Sequence, residues 1–122
     1  MPRYIDLDIV PKSKPVAWVG SSRADLREFP EGARELAGHE LRRVQLGELP
    51  SDWKPMATVG PGALEIRIRT AGGQYRVLLV DKFAEAVYVL HAFEKRSRKT
   101  SRADLDLGRQ RYTEANRWRA SR

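Results

Sequence analysis

Three arginines on two neighbouring segments are the residues whose type and spacing most clearly suggest chemistry. Arg67 and Arg69 alternate with apolar residues along one segment, and Arg76 lies in the apolar segment that follows. Alternation with a period of two places every second side chain on the same face of a strand, so the pattern predicts one polar face carrying all three arginines. Arginines opposed across two strands repel each other and need an anion between or beside them. A phosphate would meet this need, because the planar guanidinium group holds phosphate in a two-point contact.

Carboxylates of the protein itself are the alternative source of that anion. Glu65 and Asp81 flank the arginines in sequence and could form surface salt bridges with them. Such pairs are common and contribute little to stability. The residues alone leave both interpretations open.

A second basic group lies between the last predicted strand and the last predicted helix. It contains Lys95, Arg96, Arg98 and Lys99. The segment could be a charged loop that only leaves the sheet, but it lies next to a helix N-terminus, where free backbone amides attract anions. A lysine or arginine beside a scissile phosphate would also stabilise the additional charge of the pentacoordinate transition state.

General acids and bases are few in this sequence. His39 lies mid-helix among charged neighbours and is expected to be solvated. His91 lies in an apolar run, where a histidine is more often a hydrogen-bonded core residue, and catalysis by His91 is the alternative. Tyr112 could stack on a base or exchange a proton, although its spacing is also that of a core tyrosine. Glu65 and Glu94 are the carboxylate candidates.

Several classes of enzyme are disfavoured by what the sequence lacks. It has no cysteine and two histidines without partners at metal-ligand spacing, and no segment matches a glycine-rich nucleotide loop or a nucleophile elbow. We therefore expect no metal and no cofactor.

The elements that must position these residues follow the order β-α-α-β-β-β-α. A turn at Gly72-Gly73 would place Arg69 opposite Arg76. Trp53 and Met56 are expected to anchor the loop 48–62 on the core. The predicted elements are a strand at Lys14–Val19, a short helix from Ser22 to Phe29, a helix at Glu31–Leu46, strands at Ala63–Thr70, Gln74–Val80 and Ala84–Phe93, and a helix capped by Ser101 that runs to about Trp118.

This order predicts a single α+β domain spanning residues 1–122. Three strands in succession indicate an antiparallel sheet, and the helices are expected to group on one of its faces. Residues 1–13 and 119–122 are expected to be frayed. No apolar run reaches the length of a signal peptide core or a membrane span, so we expect a cytoplasmic protein that makes no membrane contact.

The net charge of +7 is concentrated at the end of the chain. Residues 95–122 hold 10 basic and 3 acidic residues, whereas residues 1–94 hold 13 of each. Such a concentration is typical of nucleic-acid binding, and an anionic protein partner or simple solubility are the alternatives. The arginines from Arg109 onward can be explained as the polar surface of the final helix, so the informative charges are those between Lys95 and Lys99 and the three strand arginines.

With these elements in place, the sequence resembles the RelE/ParE superfamily of toxins from type II toxin-antitoxin systems. The resemblance is closest to its phage-derived, HigB-like branch and extends from about Val16 to Tyr112. The segments that carry it are Leu41-Arg42-Arg43-Val44-Gln45-Leu46-Gly47, Lys54-Pro55-Met56, Leu64-Glu65-Ile66-Arg67, Tyr75-Arg76-Val77 and Leu90-His91-Ala92-Phe93-Glu94-Lys95-Arg96-Ser97-Arg98-Lys99-Thr100.

The resemblance implies a RelE-like fold, neutralisation by a cognate antitoxin, often of the helix-turn-helix type, and cleavage of mRNA on the ribosome. Members in that role use clustered basic side chains, with the RNA 2′-hydroxyl as nucleophile. By position, the resemblance implies that Arg76, Lys95 and Arg96 are catalytic. The residues expected to bind RNA are Arg67, Arg69, Arg98, Lys99 and Tyr112, with His91 as the candidate acid or base.

Two other functions are compatible with the same resemblance. ParE-type relatives share the fold and inhibit DNA gyrase without cleaving RNA. A phage-derived nucleic-acid-binding module without toxicity is the third hypothesis.

Overall fold

The predicted α+β class is confirmed by a computed structural model of the protein, which describes residues 5–8 and 13–122. The described residues form six strands and three helices. The strands are β1 (Ile5–Asp8), β2 (Val16–Val19), β3 (Trp53–Pro55), β4 (Ala63–Thr70), β5 (Gly73–Val80) and β6 (Val87–Lys95), and the helices are α1 (Ser22–Arg27), α2 (Glu31–Gln45) and α3 (Arg102–Ala120).

All seven predicted elements are present, and two short strands had no counterpart in the prediction. Strand β3 lies inside the expected loop 48–62, where Trp53 packs against the core and Met56 is buried, as predicted. Strand β1 lies within residues 1–13, which were expected to be frayed. The remainder of that prediction, at residues 1–4 and 9–12, falls outside the described residues.

The strands form a single mixed sheet with the order β1-β2-β6-β5-β4-β3. Strands β4, β5 and β6 are the predicted antiparallel meander. Strand β2 pairs with β6 in parallel, and the long connection between them contains two helices and three strands. The expectation of a wholly antiparallel sheet is therefore wrong at this one pairing, which joins a strand of the first half of the chain to one of the second half.

Helices cover both faces of the sheet. In β2, β5 and β6, neighbouring apolar residues belong to two different hydrophobic clusters, as expected when both faces are buried. Helices α1 and α2 pack on one face, through residues such as Leu26 and Leu41. Helix α3 contributes Tyr112, Ala115 and Trp118 to the cluster on the opposite face. The grouping predicted for the helices thus holds for α1 and α2, while α3 covers the second apolar face.

The register between β4 and β5 differs from the one predicted. Thr70 pairs with Gly73, so the turn consists of Ala71 and Gly72. Gly73 has φ +153°, and its carbonyl accepts a hydrogen bond from the Thr70 hydroxyl at 3.1 Å. A turn one residue earlier moves the pairing by two positions. Arg76 therefore lies opposite Arg67, whereas the sequence analysis placed it opposite Arg69.

The end of helix α3 is tied to the sheet through Glu85, although residues 119–122 were expected to be frayed. Arg119 Nε donates to Glu85 Oε2 at 2.5 Å, and the Tyr88 hydroxyl donates to the same oxygen at 2.7 Å. Burial alone would raise the pKa of Glu85, but the hydrogen bonds from Arg119 and Tyr88 outweigh burial and lower the pKa to about 2. The ionised form of Glu85 is therefore favoured by folding.

We predict that Glu85→Gln destabilises the protein in a pH-dependent way. Because the folded-state pKa lies below its ordinary value, the stabilisation is complete above about pH 5 and is lost as the pH falls towards about 2. After allowance for solvent screening, the variant should lose about 1–2 kcal/mol at neutral pH and almost nothing near pH 2. Urea unfolding followed by tryptophan fluorescence at several pH values measures this difference. A gap between variant and wild type that does not change with pH would contradict the prediction.

Candidate functional site

The predicted polar face is real, and it is the face that α3 covers only in part. Residues paired directly across strands lie on the same face of a sheet. Helix α3 packs over the end that contains Leu78, whose side chain lies beside Gly108, and leaves the end nearest the β4–β5 turn without a helix. From the border of α3 towards that turn, the rows of paired residues are Lys54 with Glu65 and Leu78, Arg67 with Arg76 and Phe93, and Arg69 with Gln74 and Lys95.

These rows create a group that we call the basic cluster. It consists of Lys54, Arg67, Arg69, Arg76 and Lys95. Strands β3, β4, β5 and β6 each contribute to it, so no single segment of sequence contains it.

Glu65 lies at the centre of the basic cluster with only 1% of its surface exposed. Its Oε1 atom is 3.4 Å from Arg76 Nε and 3.8 Å from Arg67 Nε. Its Oε2 atom accepts a hydrogen bond from the Thr100 hydroxyl at 2.8 Å, which closes the segment after β6 over the carboxylate. Of the two interpretations that the sequence left open, Glu65 thus supplies part of the anion, although as a buried carboxylate and not through the surface salt bridge that was considered.

Asp52 is the second counterion of the basic cluster, a role that the sequence analysis assigned to Asp81. Asp52 Oδ2 lies 3.4 Å from Arg69 Nε, and Asp52 Oδ1 lies 4.0 Å from Arg67 Nη1. Asp81 follows β5 at the opposite end of the strand, where its carbonyl accepts a hydrogen bond from Lys14. Two carboxylates thus face five cations, and the cluster keeps an excess of positive charge.

Two guanidinium groups of the cluster retain buried N–H groups without hydrogen-bond partners. These are Nε of Arg67 and Nε of Arg76, which meet Glu65 at ion-pair distance without hydrogen-bond geometry. Burial lowers the pKa of Arg76, and so do Arg67 and Arg69, while Glu65 opposes the change. Burial followed by repulsion from Arg76 also lowers the pKa of Lys95. The electrostatics therefore favour the approach of a further anion.

Arg76 differs from the other members in accessibility, since only 2% of its side chain is exposed. Its Nη1 atom donates to the Tyr75 carbonyl and its Nη2 atom donates to Gln74 Oε1, each at 3.1 Å. Arg69 is 60% exposed and Arg67 is 26% exposed. The accessible rim of the cluster therefore consists of cations that surround Arg76.

The basic segment after β6 is divided between two directions. Lys95 Nζ donates to the Arg98 carbonyl at 2.7 Å, which folds the segment back on itself. The exposed Arg98 and Lys99 line a groove together with Lys54. Arg96 instead pairs with Glu94 at 2.9 Å on the opposite side of the sheet. The structure thus brings Lys95, Arg98 and Lys99 to one side and separates Arg96 from them.

His91 is buried on the same face but is held by helix α3. Its Nε2 atom lies 2.7 Å from Asp104 Oδ1, and its ring stacks on Phe93 at 4.7 Å between centroids. Phe93 lies between His91 and Lys95 along β6. These contacts correspond to the hydrogen-bonded core residue that the sequence analysis weighed against catalysis.

Tyr112 lies apart from the basic cluster, in the core beneath α3. Its ring packs so closely on Gly60 that a Cβ atom there would lie 2.6 Å from it, and its hydroxyl donates to the Pro61 carbonyl at 2.5 Å. Only 7% of Tyr112 is exposed, so no base can stack on it in this arrangement. Tyr112 is thus the core tyrosine that its spacing in the sequence also allowed.

We predict that Tyr112→Phe lowers stability without changing nucleic-acid binding. The variant loses the hydrogen bond to Pro61 and leaves that carbonyl without this donor, which should cost about 1 kcal/mol. Urea unfolding gives the stability, and fluorescence anisotropy with a labelled RNA gives the affinity. A marked loss of RNA affinity at unchanged stability would contradict this assignment.

Arg111 is a residue whose position the sequence analysis missed. It was assigned to the solvated side of α3, but it is buried and donates to the Leu90 carbonyl at 3.1 Å and to Ser21 Oγ at 2.8 Å. Gly20, with φ +58°, makes room for its side chain. Its spacing from Gly108 and Ala115 places it on the buried side of the helix, and this was the available signal.

Within residues 13–122, no helix is long and apolar enough to cross a membrane. In the same residues, no three histidine or acidic side chains come together as metal ligands would.

An α+β fold with this topology, carrying a basic cluster on one sheet face, is consistent with the RelE-like class of proteins. The chain belongs to the family described as Phage derived protein Gp49-like (DUF891), which matches residues 24–113. This family is phage-derived and RelE/toxin-like. No curated protein matches the chain.

Proposed function

We propose that this protein is the toxin of a type II toxin-antitoxin system and that it cleaves mRNA on the ribosome. The observation that carries the proposal is the pair of buried guanidinium N–H groups without hydrogen-bond partners, Arg67 Nε and Arg76 Nε, beneath a rim of accessible cations. Buried polar groups are normally paired, and an anion that binds nearby is one explanation for groups that are not. Membership of a toxin-like family supports the same conclusion.

The substrate that fits this cluster is a phosphodiester of RNA. The exposed parts of Arg67 and Lys95 would hold the non-bridging oxygens, and Lys54, Arg98 and Lys99 would bind the flanking phosphates along the groove. Arg76 would act from below, as a fixed positive charge that orients the others. Arg69 would extend the positive surface at the exposed edge.

Cleavage would proceed by attack of the adjacent 2′-oxygen on phosphorus. The 2′-hydroxyl gives its proton to water, the bond to the 5′-oxygen breaks, and the 5′-oxygen takes a proton from water, so the products are a 2′,3′-cyclic phosphate and a 5′-hydroxyl. The cations of the cluster stabilise the additional negative charge that develops on the phosphoryl oxygens, which is the largest contribution that such a site makes. Glu65 is the carboxylate nearest to this position, and His91 lies farther along the same face.

The proposed partner is a cognate antitoxin, of the helix-turn-helix type that the resemblance implies. We also propose that the protein belongs to the HigB-like branch of the superfamily. An antitoxin that covers the basic cluster would compete with RNA for the same charges.

Transcript mapping after brief induction tests the proposal. Primer extension on cellular mRNA should show new 5′ ends in translated regions within minutes, and Lys82→Ala should behave as wild type because Lys82 is exposed and lies beyond the other end of β5. Purified ribosomes programmed with a defined mRNA should reproduce the cuts. Growth arrest with intact transcripts would overturn ribonuclease activity, and loss of supercoiling under those conditions would indicate gyrase inhibition. Continued growth would indicate a module without toxicity.

A further inference from the structure

A second cleft lies on the other side of the sheet from the basic cluster, between helix α1 and strand β6. Its lining includes Phe29 and Tyr75, whose rings are in contact at 4.8 Å between centroids, and three carboxylates. Glu94 and Tyr75 pair across β6 and β5, so they belong to the face opposite Arg76. The lining of the cleft therefore shares no residue with the basic cluster.

The charge of this cleft is opposite to that of the chain. Asp25, Glu28 and Glu94 line it, and neither a lysine nor an arginine does, although the net charge of the protein is +7. Asp25 accepts a hydrogen bond from Ser21 at 2.7 Å and lies 3.8 Å from Arg111 Nη1, and Glu94 pairs with the highly exposed Arg96. The exposed Glu28 side chain makes no hydrogen bond or ion pair with any described residue. The rim of the cleft thus keeps one carboxylate, that of Glu28, which remains available to a cation.

One wall of the cleft is an open strand edge. Strand β2 pairs with β6 only from Val87 to Val89, whereas β6 continues to Lys95. Beyond that pairing, the Leu90 carbonyl accepts a hydrogen bond from Arg111. Residues 92–94 border the cleft, and no strand of the described residues pairs with β6 on this side. A strand edge of this kind is a template for pairing with an added strand.

We propose that this cleft binds an extended segment of a partner protein that alternates basic and apolar side chains. Its backbone would add a strand to the outer edge of β6 at residues 92–94. Its apolar side chains would lie against Phe29 and Tyr75, and its basic side chains would lie between Glu28 and Glu94. Charge complementarity selects this occupant over an acidic segment or RNA, both of which the rim repels. The surface is independent of the proposed RNA cleavage.

A short synthetic peptide of alternating lysine and valine, blocked at both ends, is a suitable probe. We expect saturable binding by calorimetry and shifts of the backbone amides of residues 92–94 in NMR spectra. Glu28→Lys should weaken binding by at least about tenfold, because it replaces an attraction with a repulsion. Glu31→Lys is the matched control, since Glu31 is exposed at the start of α2 outside the cleft, and this variant should bind as wild type does.

Three outcomes would overturn the proposal: equal binding of an alternating glutamate and valine peptide, equal loss in Glu28→Lys and Glu31→Lys, or amide shifts that map to the basic cluster. Self-association of the chain through this cleft, seen by light scattering and abolished by Glu28→Lys, would replace the partner segment with a second copy. RNA cleavage by Glu28→Lys should equal that of wild type in all cases. Failure of the peptide experiment is thereby separated from failure of the proposed function.

Discussion

Lys95→Ala is expected to lower RNA cleavage about 100-fold while leaving the fold intact. A fixed cation that meets charge developing in the transition state is typically worth two to three orders of magnitude in rate, that is about 3–4 kcal/mol. Lys95 lies at the end of β6, among Arg76, Lys54 and Arg67, whose positive charges contribute to the lowering of its pKa. An anion that binds beside Lys95 offsets the repulsion from these neighbouring cations, so its attraction to Lys95 should be strong.

The stability of this variant should change little. Lys95 is only partly buried, and its side chain donates a hydrogen bond to the Arg98 carbonyl at 2.7 Å. Its removal should change the free energy of unfolding by about 0.5–1 kcal/mol. A loss of activity therefore reports on chemistry or binding and not on the folded fraction.

Single-turnover cleavage of a defined mRNA on purified ribosomes is the measurement, with Lys82→Ala as the control that removes the same charge elsewhere. A rate for Lys95→Ala within about threefold of wild type would exclude a role for Lys95 in stabilising the transition state, since the expected effect is far larger. If Lys95→Arg cleaves RNA as wild type does, cleavage requires a positive charge at this position rather than proton transfer by it, because arginine is always protonated.

Much of the fold was predictable because the local signals are strong. Strand β4 has the predicted bounds, since its period-2 alternation has one consistent interpretation. Helix α3 begins where Ser101 accepts a hydrogen bond from the Asp104 amide at 3.1 Å, which is the capping pattern in the sequence. These features depend on neighbouring residues in the chain.

The missed features depend on distant contacts. The parallel pairing of β2 with β6 joins segments separated by most of the chain, and no local pattern encodes it. The register of β4 and β5 depended on which residues make the turn, and both Ala71-Gly72 and Gly72-Gly73 contain a suitable glycine. The turn at Ala71-Gly72 is the one that lets Thr70 pair with Gly73.

The burial of Arg76 is the difference with the largest consequence for the site. Alternation indicated an accessible arginine on a polar face, and in an isolated hairpin it would be exposed. In the protein, β5 has β4 and β6 on its two sides, and Thr100 closes over the neighbouring Glu65. The sequence therefore predicted the face of Arg76 correctly and could not predict its depth.

Because Arg76 is buried, we predict that Arg76→Ala lowers the free energy of unfolding by about 3–5 kcal/mol. Without Arg76, Glu65 remains buried with Arg67 at 3.8 Å as its closest cation and loses the ion pair at 3.4 Å. A buried charge that loses its main partner costs far more than an exposed pair does. An arginine exposed on a polar face, as alternation alone indicates, would cost little on removal, whereas the burial of Arg76 beside Glu65 makes its removal costly.

A double-variant experiment separates the ion pair from simple loss of packing. Arg76→Met with Glu65→Leu replaces both charges by apolar groups of similar size and should be more stable than Arg76→Ala alone, because no unpaired charge stays buried. Urea unfolding followed by the fluorescence of Trp18, Trp53 and Trp118 gives the free energies. Arg69→Ala is the control, since Arg69 is 60% exposed and its loss should cost less than about 1 kcal/mol.

If Arg76→Ala proves as stable as wild type, the Glu65–Arg76 pair does not hold the sheet together, and its burial must serve the site alone. If the variant is destabilised as expected, its loss of toxicity is not evidence for catalysis by Arg76 until activity is expressed per folded molecule. A rate per folded molecule that stays within about tenfold of wild type would assign Arg76 to positioning Glu65 and Arg67. A fall of about 100-fold or more per folded molecule would mean that its charge acts on the phosphate from below.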